Sequence, residues 1–300
     1  MNLQSTKSII TIAAAAFAIT FASCIKDVDD VNLPNTPQKL VVQSYISPTD
    51  SIFVTVFASQ PINYNIPIDG NNYYYNAFDT IKTATVILTN IEDDNTIAIP
   101  YDSKQKKYAL PPNLFAIEKG NEYELRVTAN NFETVSGRTV VPLGKATSSI
   151  ERIDTISTNE WGYTEMRLIG TIIDPKNEDN FYSTLIYSLK QYESSWDETT
   201  HTFISNYSKQ LISDSNSDGR TISIRHEFSS YDDDYYINLG TTTEVYEVDE
   251  HYYNFHYSLQ NIYDIMDNPF TESSHLYSNI EGGLGVFGSY ITINQTTLNK

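Results

Sequence analysis

The chain has 300 residues, with 19 Lys and Arg against 38 Asp and Glu, for a formal net charge of −19. So acidic a surface repels phosphate backbones and anionic headgroups, which excludes nucleic acid as an expected partner. The length suits two domains or one large β unit, and 23 Tyr and 13 Phe against three Met favour strands and half-wet aromatic surfaces over a helical core.

Residues 1–23 read as an export signal. Lys7 supplies the positive region, and Ile9 to Phe21 forms an uncharged apolar run. Phe21-Ala22-Ser23-Cys24 resembles a bacterial lipobox, with Phe where Leu is usual. The expectation is cleavage before Cys24 and a fatty-acyl (palmitate-type) anchor on its thiol. Cys24 is the only cysteine, and acylation accounts for both its position and its solitude. The rival readings are an uncleaved span, since Ser8 to Ile25 is an uncharged run of 18 residues, and a plain secretory signal. Residues 24–38 then form a tether. Ile25-Lys26-Asp27-Val28-Asp29-Asp30 resembles the signal that sends Bacteroidetes lipoproteins to the outer leaflet, facing the medium.

From Lys39 the chain is predicted to be mainly β. Leu40–Ile46 and Ser51–Phe57 form an expected hairpin around Pro48-Thr49-Asp50. A long loop over 61–80 carries Tyr73, Tyr74 and Tyr75, which are candidate ligand or partner contacts. Strands follow near 82–90, 95–101 and 106–110. Glu122–Ala129 alternates cleanly, with Tyr123, Leu125 and Val127 on one face. A strand near 134–141 completes an expected immunoglobulin-like sandwich over 39–145. Residues 146–300 are expected to form a second β-rich domain, sandwich-like or barrel-like, with strands near 149–157, 164–173, 181–187, 200–211, 220–228 and 243–248. One segment breaks the pattern. Apolar residues at 252, 255, 259, 262, 263 and 266 are helically spaced, Asp249 can cap the first turn, and Pro269 lies beyond the end. The spacing predicts a single helix over 249–266, its aromatic stripe packed on a sheet.

The chemistry-bearing motifs are few. No G-x-S-x-G or H-E-x-x-H occurs, and no enzymatic activity or cofactor is expected. His251 and His256, five apart, fall on different helix faces. Gly283-Leu284-Gly285-Val286-Phe287-Gly288 spells a dinucleotide fingerprint, but a strand-like run follows it where a helix is required. These glycines are instead expected to let backbone approach backbone. Asp214, Asn216 and Asp218, with Gly219, resemble the start of a calcium loop, although position twelve is Arg225. A hairpin turn explains the same residues. Tyr231, Tyr235 and Tyr236 flank an acidic run and are further candidate contacts. Asp50-Ser51-Ile52, Asp79-Thr80-Ile81 and Asp154-Thr155-Ile156 resemble a short O-glycosylation motif of Bacteroidetes exported proteins.

Several blocks together resemble the DUF4249 family of Bacteroidetes lipoproteins. They are Lys39-Leu40-Val41-Val42, Gly120-Asn121-Glu122-Tyr123, Asp174-Pro175 with Asn180-Phe181-Tyr182, Asp267-Asn268-Pro269-Phe270, and the most specific, Asn279 to Gly288. Family members are often encoded beside TonB-dependent transporters. The resemblance therefore implies an accessory outer-membrane lipoprotein that sits on such a barrel and helps capture or gate a substrate, with a small nutrient, peptide or glycan as the ligand classes open to it. It carries no catalytic residue across. A structural or adhesive envelope protein is the alternative expectation, with a hydrolase of unknown type behind it.

Overall fold

The computed structural model describes residues 37–60, 80–160, 163–193, 199–231, 236–266 and 275–298. The protein is mainly β, as predicted. The first part supplies β1 (Leu40–Ile46), β2 (Ile52–Ala58), β3 (Thr85–Asn90), β4 (Asn95–Ala98), β5 (Tyr101–Asp102), β6 (Lys107–Leu110), β7 (Glu122–Thr128) and β8 (Val135–Val140). The second supplies β9 (Thr147–Thr158), β10 (Tyr163–Ile173), β11 (Phe181–Glu193), β12 (Thr200–Ser213), β13 (Thr221–Tyr231), β14 (Ile237–Val248), α1 (Glu250–Met266) and β15 (Leu284–Leu298). Among the described residues no helix is long and apolar enough to cross a membrane.

Three sheets organise these strands. The largest runs β12-β11-β14-β15-β1-β2-β6-β5; the others are β13-β10-β9 and β4-β3-β7-β8. Alternation decides which side chains fill the gaps between them. Leu40, Val42 and Ile46 of β1 and Ile52, Val54 and Val56 of β2 pack against Val86, Leu88, Tyr123, Leu125 and Val127 of the four-stranded sheet. Tyr182, Ile186 and Val245 of the large sheet pack against Leu168, Ile172, Ile224 and Phe228 of the three-stranded sheet. The result is two sandwiches that share one long sheet.

Val141 packs in the first core and Ala146 in the second. The large sheet runs across both. Strand β15 is 15 residues long and pairs parallel with β1 and antiparallel with β14. Its early residues Phe287 and Ile291 join the first core, and Ile293 packs against both. Glycine permits this crossing. Gly285 sits at φ 113, and a Cβ there would lie 1.9 Å from the Val42 carbonyl oxygen. The close backbone approach expected of the 283–288 block is thus its role. Asn279 completes the anchorage: its Nδ2 donates to the carbonyls of Arg138 and Phe287, and its Oδ1 accepts from the Phe287 N–H at 2.9 Å.

The predicted helix starts where expected. Asp249 Oδ1 accepts the Tyr252 N–H at 2.8 Å, an N-cap bond, and also the Ser289 N–H at 3.1 Å. Its Oδ2 accepts the Thr139 hydroxyl at 2.6 Å. One carboxylate therefore joins β8, α1 and β15. Tyr252 and Phe255 are buried, and Leu259 and Ile262 half-buried, which is the predicted stripe.

Candidate functional site

The face of the large sheet turned away from the cores carries a run of aromatic residues. In β1 the core phase is Leu40, Val42, Ser44 and Ile46, so Gln43 and Tyr45 project to the opposite face. The same alternation in β2 exposes Phe53 and Thr55 there. Tyr290 of β15 and Tyr246 of β14 continue the row, and α1 lies across it. The ring centroids form a chain: Tyr246 to Tyr290 5.0 Å, Tyr290 to Tyr252 6.4 Å, Tyr252 to Tyr45 4.9 Å, and Tyr45 stacked on His256 at 5.5 Å. Such offset and edge-to-face pairs hold the rings in fixed positions.

Beside this row is an open cavity of about 540 Å³, walled by Gln43, Tyr45, Phe53, Thr55, Lys107 and Tyr290 among others. That size falls within the range of small-molecule sites. Lys107 Nζ rests 3.9 Å from the Phe53 ring centroid, a cation–π contact that keeps both side chains in the wall. The Tyr290 hydroxyl donates to Asp50 Oδ2 at 2.8 Å. Deeper in the same face, Glu244 accepts from the hydroxyls of Tyr187 and Tyr246 and from Gln295 Nε2.

Burial pushes the phenols of Tyr45, Tyr246, Tyr252 and Tyr290 well above the usual tyrosine range, so they stay neutral. Lys209 Nζ donates to Tyr252 OH at 2.8 Å and lies 3.1 Å from His256 Nε2. Burial lowers that ammonium to about 8. His256 is pushed down to about 3 by burial and by Lys209, and so serves as a neutral acceptor. The two helix histidines do fall into separate environments: His251 Nδ1 lies 2.6 Å from the Tyr277 hydroxyl.

The residues singled out from the sequence are distributed differently. Cys24, Tyr73, Tyr74, Tyr75 and Tyr235 lie outside the described residues. Tyr231 ends β13, its backbone paired with Tyr163. Tyr236 joins an aromatic group with Tyr192 (5.8 Å) and Phe203 (5.2 Å), and Tyr192 in turn stacks on His201. Asp214 and Asp218 come together, but their companion is Asp174, from the connection between β10 and β11. Asn216, between them in sequence, is exposed. Asp214 Oδ2 accepts the Asn180 N–H at 2.9 Å. Its carboxyl is raised by burial and by the negative charges of Asp174, Asp179 and Asp218.

Sequence reading missed Tyr45, Tyr246, Tyr252 and Tyr290 as a group. Alternation in β1 already marks Tyr45 as lying off the core phase. Nothing local links it to Tyr252 or Tyr290, whose strand and helix arrive from more than two hundred residues away.

No curated protein matches the chain. A family model does, over residues 27–296, and the chain therefore belongs to the family described as a domain of unknown function, DUF4249.

Proposed function

We propose that this chain is a lipid-anchored, surface-facing accessory of a TonB-dependent transporter in a Bacteroidetes outer membrane, and that it captures ligand on the tyrosine row. The observation that carries the reading is that row: linked rings beside a 540 Å³ cavity whose wall holds the Tyr45 and Tyr290 phenols, the Gln43 amide, Asp50 and Lys107. Rigid aromatic rings supply contact area at low entropic cost, which suits a small hydrogen-bonding nutrient. The apolar run ending in Ala22-Ser23-Cys24 supports the anchor, and the charge of −19 supports life outside the cytosol.

The test is extraction of the full chain, tagged at its C-terminus, in mild detergent. Co-purification of a TonB-dependent barrel is expected, with Cys24 acylated by mass spectrometry. The double variant Tyr45→Ala with Tyr290→Ala is expected to keep the barrel and lose growth on the transported nutrient. Absence of a barrel, or an unmodified Cys24 thiol, overturns the proposal. Normal growth of the double variant removes the tyrosine row from it.

A further inference from the structure

The second sandwich is closed at one rim by two connections that cross between its sheets. Residues 174–180 carry the chain from β10 to β11, and residues 214–220 carry it back from β12 to β13. The two connections touch: the Asp174 N–H donates to the Arg220 carbonyl at 3.3 Å, and the Asn177 N–H to Asp218 Oδ1 at 2.8 Å. Where they meet, one carboxylate oxygen each from Asp174, Asp214 and Asp218 lies within 4.8 Å of the others. Asp174 and Asp214 are 5% and 3% exposed, and Asp218 opens to solvent. Among the described residues none of the three takes part in an ion pair. Carboxylates this deeply buried need donors or a cation around them, and Asp174 accepts the Gly219 N–H at 2.7 Å.

A second observation is independent of the acids. Asn180 is only 8% exposed, and its Oδ1 is buried without a hydrogen-bond partner. Its direction follows from the ladder. Phe181 pairs with Ser213, so Asn180 stands opposite Asp214, and the Asp214 N–H donates to the Asn180 carbonyl. Cross-strand partners share a face. By alternation that face also carries Tyr182, whose hydroxyl donates to Asp174 Oδ1 at 2.5 Å. The Asn180 side chain thus lies on the face shared by Asp214 and Tyr182, beside the converging acids. A buried acceptor left unsatisfied costs about 1–3 kcal/mol, and a cation would satisfy it together with the carboxylates.

We propose that Asp174, Asp214, Asp218 and the side-chain carbonyl of Asn180 bind a calcium ion, which staples the two sheets of the second sandwich at this rim. The donors are all oxygens, with no His or Cys, as a hard cation requires. Ligands at about 2.3–2.6 Å from calcium stand up to about 5 Å from one another, which matches the spacing. The exposed Asp218 leaves an entry path and room for water ligands. This set differs from the contiguous loop that sequence spacing suggested in drawing Asp174 and Asn180 from the facing connection.

The test uses the full-length chain in detergent, stripped of metal on a chelating resin, with terbium as the probe and calcium as its competitor. Tyr182, bonded to Asp174, is placed to sensitise terbium emission. One saturable terbium site per chain, displaced by calcium more effectively than by magnesium, is expected. A thermal midpoint raised by calcium and restored by chelator is expected with it. Asp218→Asn, at an exposed position, keeps the oxygen that accepts the Asn177 N–H and removes one negative charge, so its metal-free midpoint should be no lower than wild type while calcium binding weakens at least tenfold. Asn180→Ala should weaken binding in the same direction. No saturable emission, equal binding by Asp218→Asn and wild type, or a midpoint that follows pH but not calcium each overturns the proposal.

Discussion

Replacing Asp249 by alanine and by asparagine separates what its shape contributes from what its charge contributes. In alanine three accepted bonds disappear: from the Tyr252 N–H, the Ser289 N–H and the Thr139 hydroxyl. Loss of the helix cap costs about 1 kcal/mol. The Ser289 N–H is then a donor without a partner in a buried residue, at about 1–3 kcal/mol. Thr139 is less affected, because its hydroxyl is also 2.9 Å from Ser289 Oγ. The sum is about 2–4 kcal/mol of lost stability. Asparagine keeps an oxygen for both N–H groups. Its amide can donate to Thr139 Oγ1 while that hydroxyl donates to Ser289 Oγ, which itself donates to the Val140 carbonyl. Asp249→Asn is therefore expected within about 1 kcal/mol of wild type at neutral pH.

The charge adds a pH signature. Burial raises the Asp249 carboxyl above its ordinary value. A folded pKa above the unfolded one means the native state holds the proton more tightly. The group's contribution is then greatest below the unfolded pKa and declines as pH rises through the folded pKa. Asparagine has no such dependence, so Asp249→Asn should gain on wild type between acid and neutral pH. Urea unfolding followed by circular dichroism at pH 4 and pH 7 measures both effects. An alanine variant within 1 kcal/mol of wild type, or an asparagine variant as unstable as alanine, would refute the reasoning.

Gly285→Ala should abolish the β1–β15 pairing, because its Cβ would collide with the Val42 carbonyl at a φ that side chains rarely adopt; a loss of more than about 3 kcal/mol is expected, and limited proteolysis of the variant should release the C-terminal strand. His226 is buried between the hydroxyls of Thr184 and Ser208, both 2.8 Å from its ring nitrogens, and burial lowers it to about 4. The unfolded chain therefore takes up its proton first, and stability should fall as pH drops from about 6.5 to about 4, by about 3 kcal/mol from this group. His226→Gln should flatten that slope in urea midpoints measured across the range; an unchanged slope would mean that His226 is not the group responsible.

Local patterns carried a large part of the architecture. The alternation of Tyr123, Leu125 and Val127 places those residues in the first core, and the Leu40–Phe57 hairpin forms as antiparallel β1 and β2. The helix begins at the residue after Asp249, with Tyr252 and Phe255 inward. The glycines of 283–288 serve backbone approach because a strand, not a helix, follows them. Each of these readings depends on neighbours within a few residues, where period and capping chemistry are written directly in the chain.

Long-range pairing was not written there. Sequence marks β15 as extended but does not say that it lies parallel to β1, since many strands offer the same alternation. Nor does it say that Tyr290 bonds to Asp50 across 240 residues, that Asp174 meets Asp214 and Asp218, or that Tyr45 stacks against a helix that begins at Glu250. These contacts follow from which sheet edges close on one another, a choice made by the packing of the whole chain. The sequence by itself determined the strands, the helix and its cap, and the acidic balance. Only the tertiary structure decided which tyrosines and which acids share a site, because residues far apart in the chain become neighbours only when the sheets assemble.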